Sequence, residues 1–281
     1  MTVKYINSRN MEIDLLSFPT RVKDVNFHQY TWGYDGSDQQ YGANITKFTK
    51  DPIQYEATVI FRGTVDRRKE KLNNFTETTE VDIINRTPGK LICGDYYIQA
   101  YAISSSTAPY DGADWTQKDV TFLCPYPFWI REEKRSFTPL KITGDTDDNF
   151  LDYEYDYLYD YTAPTAGNAI WMVDHYAPCE FLMTIFGEAS EPRIFVNGHP
   201  YQIYTTLMPN EYLQIDSRKN TVMKFMANGT RQDLYDMRAK LQTVFEPITP
   251  GNIAVNWPGS FGFDLTLFCE RSEPRWKTQN S

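Results

Sequence analysis

Hydrophobic and polar positions alternate at period two through most of this chain, and one stretch breaks into helical spacing. Val3-Lys4-Tyr5-Ile6 runs into the polar turn Asn7-Ser8-Arg9-Asn10, and Met11 to Leu15 resumes the alternation, which predicts a hairpin at the start. Tyr55–Arg62, Tyr96–Ile103 and Asp119–Cys124 read as half-buried strands. Between them, Leu72, Phe75, Thr79 and Ile83 recur on one face of a helix predicted from Asp66 to Asp82. Asp66 would accept hydrogen bonds from its first-turn amides, and Pro88-Gly89 blocks any extension. After Phe128-Trp129-Ile130 the composition changes at Arg131–Arg135, so a domain boundary is placed near 135.

From 168 onward short strands and turn signals follow in quick succession. Arg193–Val196 and Tyr201–Ile203 flank Asn197-Gly198, a dipeptide suited to positive φ. Glu211–Ile215 and Thr221–Phe225 flank the five residues Asp216–Asn220. Asn252–Trp257 turns at Pro258-Gly259-Ser260 and continues with Phe261, Phe263, Leu265, Leu267 and Cys269 on one face. This density predicts a sandwich or barrel. Residues 231–246 (Leu234, Met237, Leu241, Val244) fit either a helix or a loop. The fold class expected is mainly β: a β-rich domain with one helix over 1–135, a connector over 136–167, and a β-sandwich over 168–281.

Composition sharpens this picture at the connector. The net charge is −9 over 281 residues, divided as −1 over 1–135, −6 over 136–167 and −2 over 168–281. Inside the connector Tyr153, Tyr155, Tyr157, Tyr159 and Tyr161 alternate with acids and one Leu. An extended chain would put five rings on one face and the carboxylates on the other. This is a strap that docks its aromatic face, either on its own protein as an ordered linker or on a neighbouring subunit. A pI near 4.9 argues against a sequence-independent nucleic-acid coat, which needs excess Lys and Arg, and against an anionic-membrane surface protein. No apolar run approaches the about 20 residues that span a bilayer, and the first ten residues lack a signal-peptide core. Cytosolic synthesis without membrane insertion is expected.

Candidate chemistry is sparse. The four cysteines (Cys93, Cys124, Cys179, Cys269) are far apart and read as buried thiols rather than a zinc or redox pair. His28, His175 and His199 have no histidine four residues away, with His199 exposed just past a turn, and no G-x-S-x-G, Walker or G-x-G-x-x-G motif occurs. Asp145–Asn149 lacks the glycine and glutamate of a calcium loop and reads as solvated. Two suitably spaced carboxylates would suffice for a glycosidase, so a hydrolase stays open as a minor alternative. The six tryptophans form no short motif and suit core or interface positions. No cofactor or metal is implied and no enzyme is expected.

An ordered set of motifs resembles a known family. It comprises Tyr5-Ile6-Asn7-Ser8-Arg9, Cys124-Pro125-Tyr126-Pro127-Phe128-Trp129, the Tyr/Asp strap, and Gly187-Glu188-Ala189 leading to Pro192-Arg193-Ile194 and Val196-Asn197-Gly198. Glu211–Ser217, Phe245–Asn252 and Glu270-Arg271-Ser272-Glu273-Pro274-Arg275-Trp276 complete it. The set is similar to the distal tail proteins of long-tailed siphophages that infect Gram-positive hosts. The resemblance implies a belt domain that closes a homohexameric ring at the distal end of the tail, and a galectin-like sandwich that projects from it. It implies a tail-tube protein above the ring, a tail-associated baseplate hub protein below, and receptor-binding or side-fibre proteins around it. DNA would pass through the ring without sequence-specific binding. Asn197, Gly198, Glu211, Asp216, Glu273, Pro274 and Trp276 would be structural motif residues. Galectins read sugar with clustered His, Asn, Arg, Trp and Glu, and no such cluster is visible along 168–281, so the likeness implies shape. A carbohydrate-binding host-recognition module is the alternative function.

Overall fold

Two separate hydrophobic cores organise the chain in a computed structural model that describes residues 2–108, 114–139 and 167–276. The described residues of Met1–Arg131 and Glu270–Ser281 belong to one compact unit, and those of Glu132–Cys269 to the other.

The first unit opens with the predicted hairpin, β1 (Val3–Ile6) and β2 (Glu12–Asp14), in register Tyr5↔Ile13. β3 (Thr20–Lys23), β4 (Gly33–Asp38), β5 (Ala43–Thr49) and β6 (Ile53–Arg62) precede helix α1 (Val65–Asn85). β7 (Gly89–Cys93), β8 (Tyr96–Thr107), β9 (Trp115–Cys124) and β10 (Trp129–Phe137) follow it. β8 serves two sheets. Tyr96–Ala100 pair with β7, which continues to β1, whereas Tyr101–Thr107 pair with β9, which continues to β6 and β3. A register shift between Ala102 and Ser104 marks the change and leaves Ile103 turned outward.

The helix is longer than predicted. Thr64 precedes it without a side-chain cap bond, and Asp66 sits in the first turn, where a carboxylate complements the helix dipole. Arg86 adopts the left-handed conformation and returns its N–H to Asp82 and Ile83, ending the helix before Pro88. The buried face is also rotated from the predicted one. Phe75 and Thr79 are buried and Leu72 packs on the core, but Ile83 is exposed and Asp82 is fully buried in its place. Asp82 Oδ2 accepts the Tyr5 hydroxyl at 2.5 Å and Oδ1 accepts the Ser8 N–H at 2.7 Å. Buried Asn7 donates to Thr78 O at 3.1 Å and accepts the N–H groups of Arg9 and Met11. The Tyr5–Arg9 motif is therefore the clamp that seats the hairpin turn on α1.

The second unit is a sandwich around one core. Its strands are β11 (Gly167–Val173), β12 (Glu180–Phe186), β13 (Ala189–Ser190), β14 (Arg193–Val196), β15 (His199–Gln202), β16 (Thr206–Leu207), β17 (Tyr212–Asp216), β18 (Thr221–Phe225), β19 (Arg231–Asp233), β20 (Gly251–Trp257) and β21 (Gly262–Arg271). One sheet runs β19-β18-β17-β12-β21, and the facing sheet runs β11-β20-β14-β15. Phe261, Phe263, Leu265, Leu267 and Cys269 are all buried, as their alternation predicts, and all four cysteines of the chain are buried thiols.

Three local details become definite. Pro258-Gly259-Ser260 is an arch between the two sheets rather than a hairpin, since β20 pairs with β11 and β14 while β21 pairs with β12. Residues 231–246 form β19, a short 3-10 turn (Tyr235–Met237) and loop. Leu234 and Val244 are buried there, and Leu241 lies wholly in solvent. By its contacts the second unit begins at Glu132, and Glu270 onward groups with the first unit, so residues at the far end of the predicted 168–281 segment pack on the N-terminal core.

Candidate interaction surfaces

Among the described residues, no three His, Cys, Asp or Glu side chains gather to hold a metal, and no helix is long and apolar enough to cross a membrane. His28 stacks on Trp276, and His199, half-buried rather than exposed, shares a 2.8 Å hydrogen bond with Thr243 O. The surfaces that stand out instead are an exposed hairpin and a groove beside the helix.

The hairpin β4–β5 is a two-stranded sheet of its own, exposed along nearly its whole length. It carries Tyr34, Tyr41, Ile45 and Phe48, with Phe48 63% and Tyr41 87% exposed. Isolated hairpins are marginal in water, so such a device needs a partner surface to hold its shape. Its root is fixed. Lys50, just after β5, sets its ammonium 4.1 Å from the Phe128 ring and 5.3 Å from Trp32. Phe128 belongs to the Cys124–Trp129 motif, in which Tyr126 donates to Glu270 at 2.6 Å and Trp129 donates to Tyr55 at 3.0 Å.

Burial pushes the Lys50 ammonium down to about 8, against the pull of Glu270. Between about pH 8 and the unfolded value of 10.5, the unfolded chain binds a proton that the native chain lacks. Stability from this group therefore rises with pH across that window. Lys50→Met is expected to raise Tm at pH 7, and its lead over the parent chain should shrink by pH 10.5 in thermal melts.

A second surface of the first unit is concave and mixed in character. Between α1 and the bulged end of β8 lies a groove of about 350 Å³, in which Phe75, Ala102, Ile83, Ile84 and Ile103 alternate with Thr76, Thr79, Glu80, Ser104 and Ser105. Ile84 is 76% exposed.

The motif residues of the second unit are turn and loop fasteners. Asn197 and Gly198 form the β14–β15 turn with φ of 51° and 81°. The Asn197 amide donates to Thr249 O at 3.1 Å and accepts the Ala254 N–H at 3.0 Å, tying the turn to β20. Asn197→Ala loses both bonds and strains the left-handed backbone, so a loss of roughly 2 kcal/mol is expected in urea unfolding. Glu211 accepts Lys224 Nζ at 2.7 Å and the Met208 N–H at 2.9 Å, and the Lys224 bond holds its carboxyl below the ordinary value. Asp216 Oδ1 accepts the N–H groups of Arg218 and Lys219, shaping the turn to β18.

Pro274 is buried in the first unit, and Trp276 stacks on His28 with ring centroids 3.6 Å apart. Burial pushes the Tyr55 phenol up to about 12, and the charge of half-buried Glu273 adds to the shift. The rings of Tyr153, Tyr155, Tyr157, Tyr159 and Tyr161 lie outside the described residues.

No protein-family model and no curated protein sequence matches this chain. Solved structures do. The Dit protein (gp 19.1) of phage SPP1, described as a paradigm of the hub adsorption apparatus in phages that infect Gram-positive hosts, superposes with a TM-score of 0.60 at 12% identity. That match covers 96% of this chain and 98% of the other. A chain of the phage P2 baseplate, in its activated conformation with Ca, gives 0.61 at 11% identity over 97% and 99%. A chain of the phage p2 baseplate with Sr gives 0.55 at 13% over 94% and 97%. Over nearly its whole length, then, this chain has the fold of the phage Dit hub and baseplate proteins, the group that its motifs resemble.

Proposed function

We propose that the chain is a structural virion protein that closes a homohexameric ring at the distal end of a long non-contractile phage tail. The observation that carries this reading is the exposed apolar hairpin β4–β5 in a chain with the hub fold. A cyclic ring of more than two copies needs two different complementary patches on every subunit. The first unit offers a convex one, the hairpin, and a concave one, the α1–β8 groove. Hairpin apolar residues of one copy seated in the groove of the next would cover both.

The ring joins the tail-tube protein to the baseplate hub protein and to receptor-binding or side-fibre proteins, and it performs no catalysis. The near-balanced charge of 1–135 supports a lumen that lets DNA slide past without trapping its phosphates. The second unit is read as galectin-like in shape. Native mass spectrometry of the purified chain tests the proposal. A species of six 32.8 kDa subunits that images as a ring is expected. A monomer at micromolar concentration, with no such ring in virions, overturns it.

A further inference from the structure

The fold brings together two cysteines that stand 90 residues apart in the sequence, Cys179 just before β12 and Cys269 near the end of β21. Their sulfurs are 3.7 Å apart, in van der Waals contact within the sandwich core. Strand register sets this meeting. The β12–β21 ladder reaches Glu180↔Phe268, and one further step puts Cys179 opposite Cys269. The Cys179 N–H donates to Ile248 O at 2.8 Å, and the Ile248 N–H donates to Cys179 O at 2.9 Å. Both main-chain groups of Cys179 thus point away from β21, so the two cysteines face each other as a non-hydrogen-bonded pair. The Cα atoms of such pairs lie about 4.5 Å apart, within the roughly 4.4–6.8 Å that a disulfide spans. Bond formation asks the sulfurs to approach by less than about 2 Å, which is a side-chain motion.

Cys93 and Cys124, in the first unit, show the contrast. Cys93 faces Val3 and Tyr96 across its two ladders, and Cys124 faces Ile53, so none of these register partners is a cysteine. Burial also pushes the Cys124 thiol up to about 12, which withholds the thiolate that reacts. Cys179 is buried too, but it directly follows residues 174–178, each of them exposed or half-buried. Its thiol donates to Ala177 O in that segment at 3.6 Å. Local opening of this strand end gives a small oxidant access to the pair. Such thiols stay reduced in a reducing cytosol, whereas an oxidising medium favours the disulfide.

We propose that Cys179 and Cys269 form a disulfide when the folded chain meets a peroxide, and that this bond locks β12 to β21. Cys179 Sγ attacks one oxygen of hydrogen peroxide, the O–O bond breaks, and a sulfenic acid forms while the thiol proton leaves with the other oxygen as water. Cys269 Sγ then attacks the Cys179 sulfur. The S–O bond breaks, the S–S bond forms, and a second water carries off the Cys269 proton. Two thiols lose two electrons and one peroxide becomes two waters. The closed loop holds all the strands from β12 to β21, which restricts the unfolded chain. Cys269 is also the last residue of the second unit, so the bond fixes the strand end from which the chain leaves it. None of this depends on ring formation.

The test treats the folded full chain with hydrogen peroxide after removal of reductant, then unfolds it, alkylates it and maps its peptides by mass spectrometry. A linked Cys179–Cys269 peptide is expected, with Cys93 and Cys124 recovered as alkylated thiols. Met172, 67% exposed, reports by its sulfoxide that the peroxide acted. A melting transition should rise by about 10 °C and return on addition of dithiothreitol. Cys179→Ala and Cys269→Ala should each abolish that rise, and the linked peptide is read on the unaltered chain even where a variant fails to fold. Four alkylated cysteines beside oxidised Met172 overturn the inference. So do sulfinic acids without a link, a link to Cys93 or Cys124, a link formed only in urea, and a link that leaves melting unchanged.

Discussion

Asp82→Ala is expected to lower the stability of the first unit by about 3 kcal/mol, read by hydrogen exchange of β1 and β7 amides under native conditions. The carboxylate is wholly buried and holds two donors from a different part of the chain, the Tyr5 hydroxyl and the Ser8 N–H. Alanine leaves the Ser8 N–H unpaired and the Tyr5 hydroxyl with only its 3.3 Å bond to Ala100 O, and the loss of a buried partner costs about 1–3 kcal/mol. Tyr5→Phe should cost less, since it orphans one carboxylate oxygen and keeps the ring that packs on Phe122. The double variant should fall short of the sum, because both single changes break the same bond. Gly89→Ala attacks the site from another side. A methyl group there would meet Asp82 Oδ2 at 2.5 Å, the Tyr5 hydroxyl at 2.6 Å and Ile6 O at 2.8 Å. A loss of about 1–3 kcal/mol is expected from such overpacking.

The second large effect is on assembly. Phe48→Glu combined with Ile45→Glu on the hairpin is expected to abolish the proposed ring while changing the melting of the chain little, because Phe48 is 63% and Ile45 38% exposed and neither belongs to a core. Truncating one central apolar anchor of an interface costs about 2 kcal/mol, about thirtyfold in affinity, and burying a carboxylate there costs more. Ile84→Glu in the groove should do the same from the other side of the contact. The two variants together distinguish a head-to-tail ring from a two-fold dimer. A copy with a broken hairpin keeps its groove, and a copy with a broken groove keeps its hairpin. Mixing them should give a single heterodimer that cannot grow, visible by native mass spectrometry. Rings that survive either variant would show that subunits join elsewhere.

Much of the β architecture is legible because burial on one face writes itself as alternation. The run from Phe261 to Cys269 and the Asn197-Gly198 turn are examples. Elements that bury nothing in their own subunit leave no such mark. β4, with the sequence Gly-Tyr-Asp-Gly-Ser-Asp, is exposed on both faces, so no period points to it. Asp82 is missed for the opposite reason. A carboxylate on a helix reads as wet unless the hydroxyl that will meet it, far away in β1, is known. The Pro258–Ser260 arch looks like a hairpin turn because each flanking strand alternates normally, and only partner choice, a nonlocal matter, separates the two. Residues such as Asn168, Asn256 and Phe195 are likewise scattered in sequence and become neighbours only through sheet register.

The grouping of Glu270–Trp276 with the described residues of the N-terminal unit has a consequence in time. A chain made from its N-terminus completes the strands of the first unit early. The Glu270 acceptor of Tyr126, the buried Pro274 and the Trp276 ring that covers His28 arrive only after the whole second unit has been synthesised. The nascent first unit thus waits, unsealed, until Glu270–Trp276 have been made and can reach it.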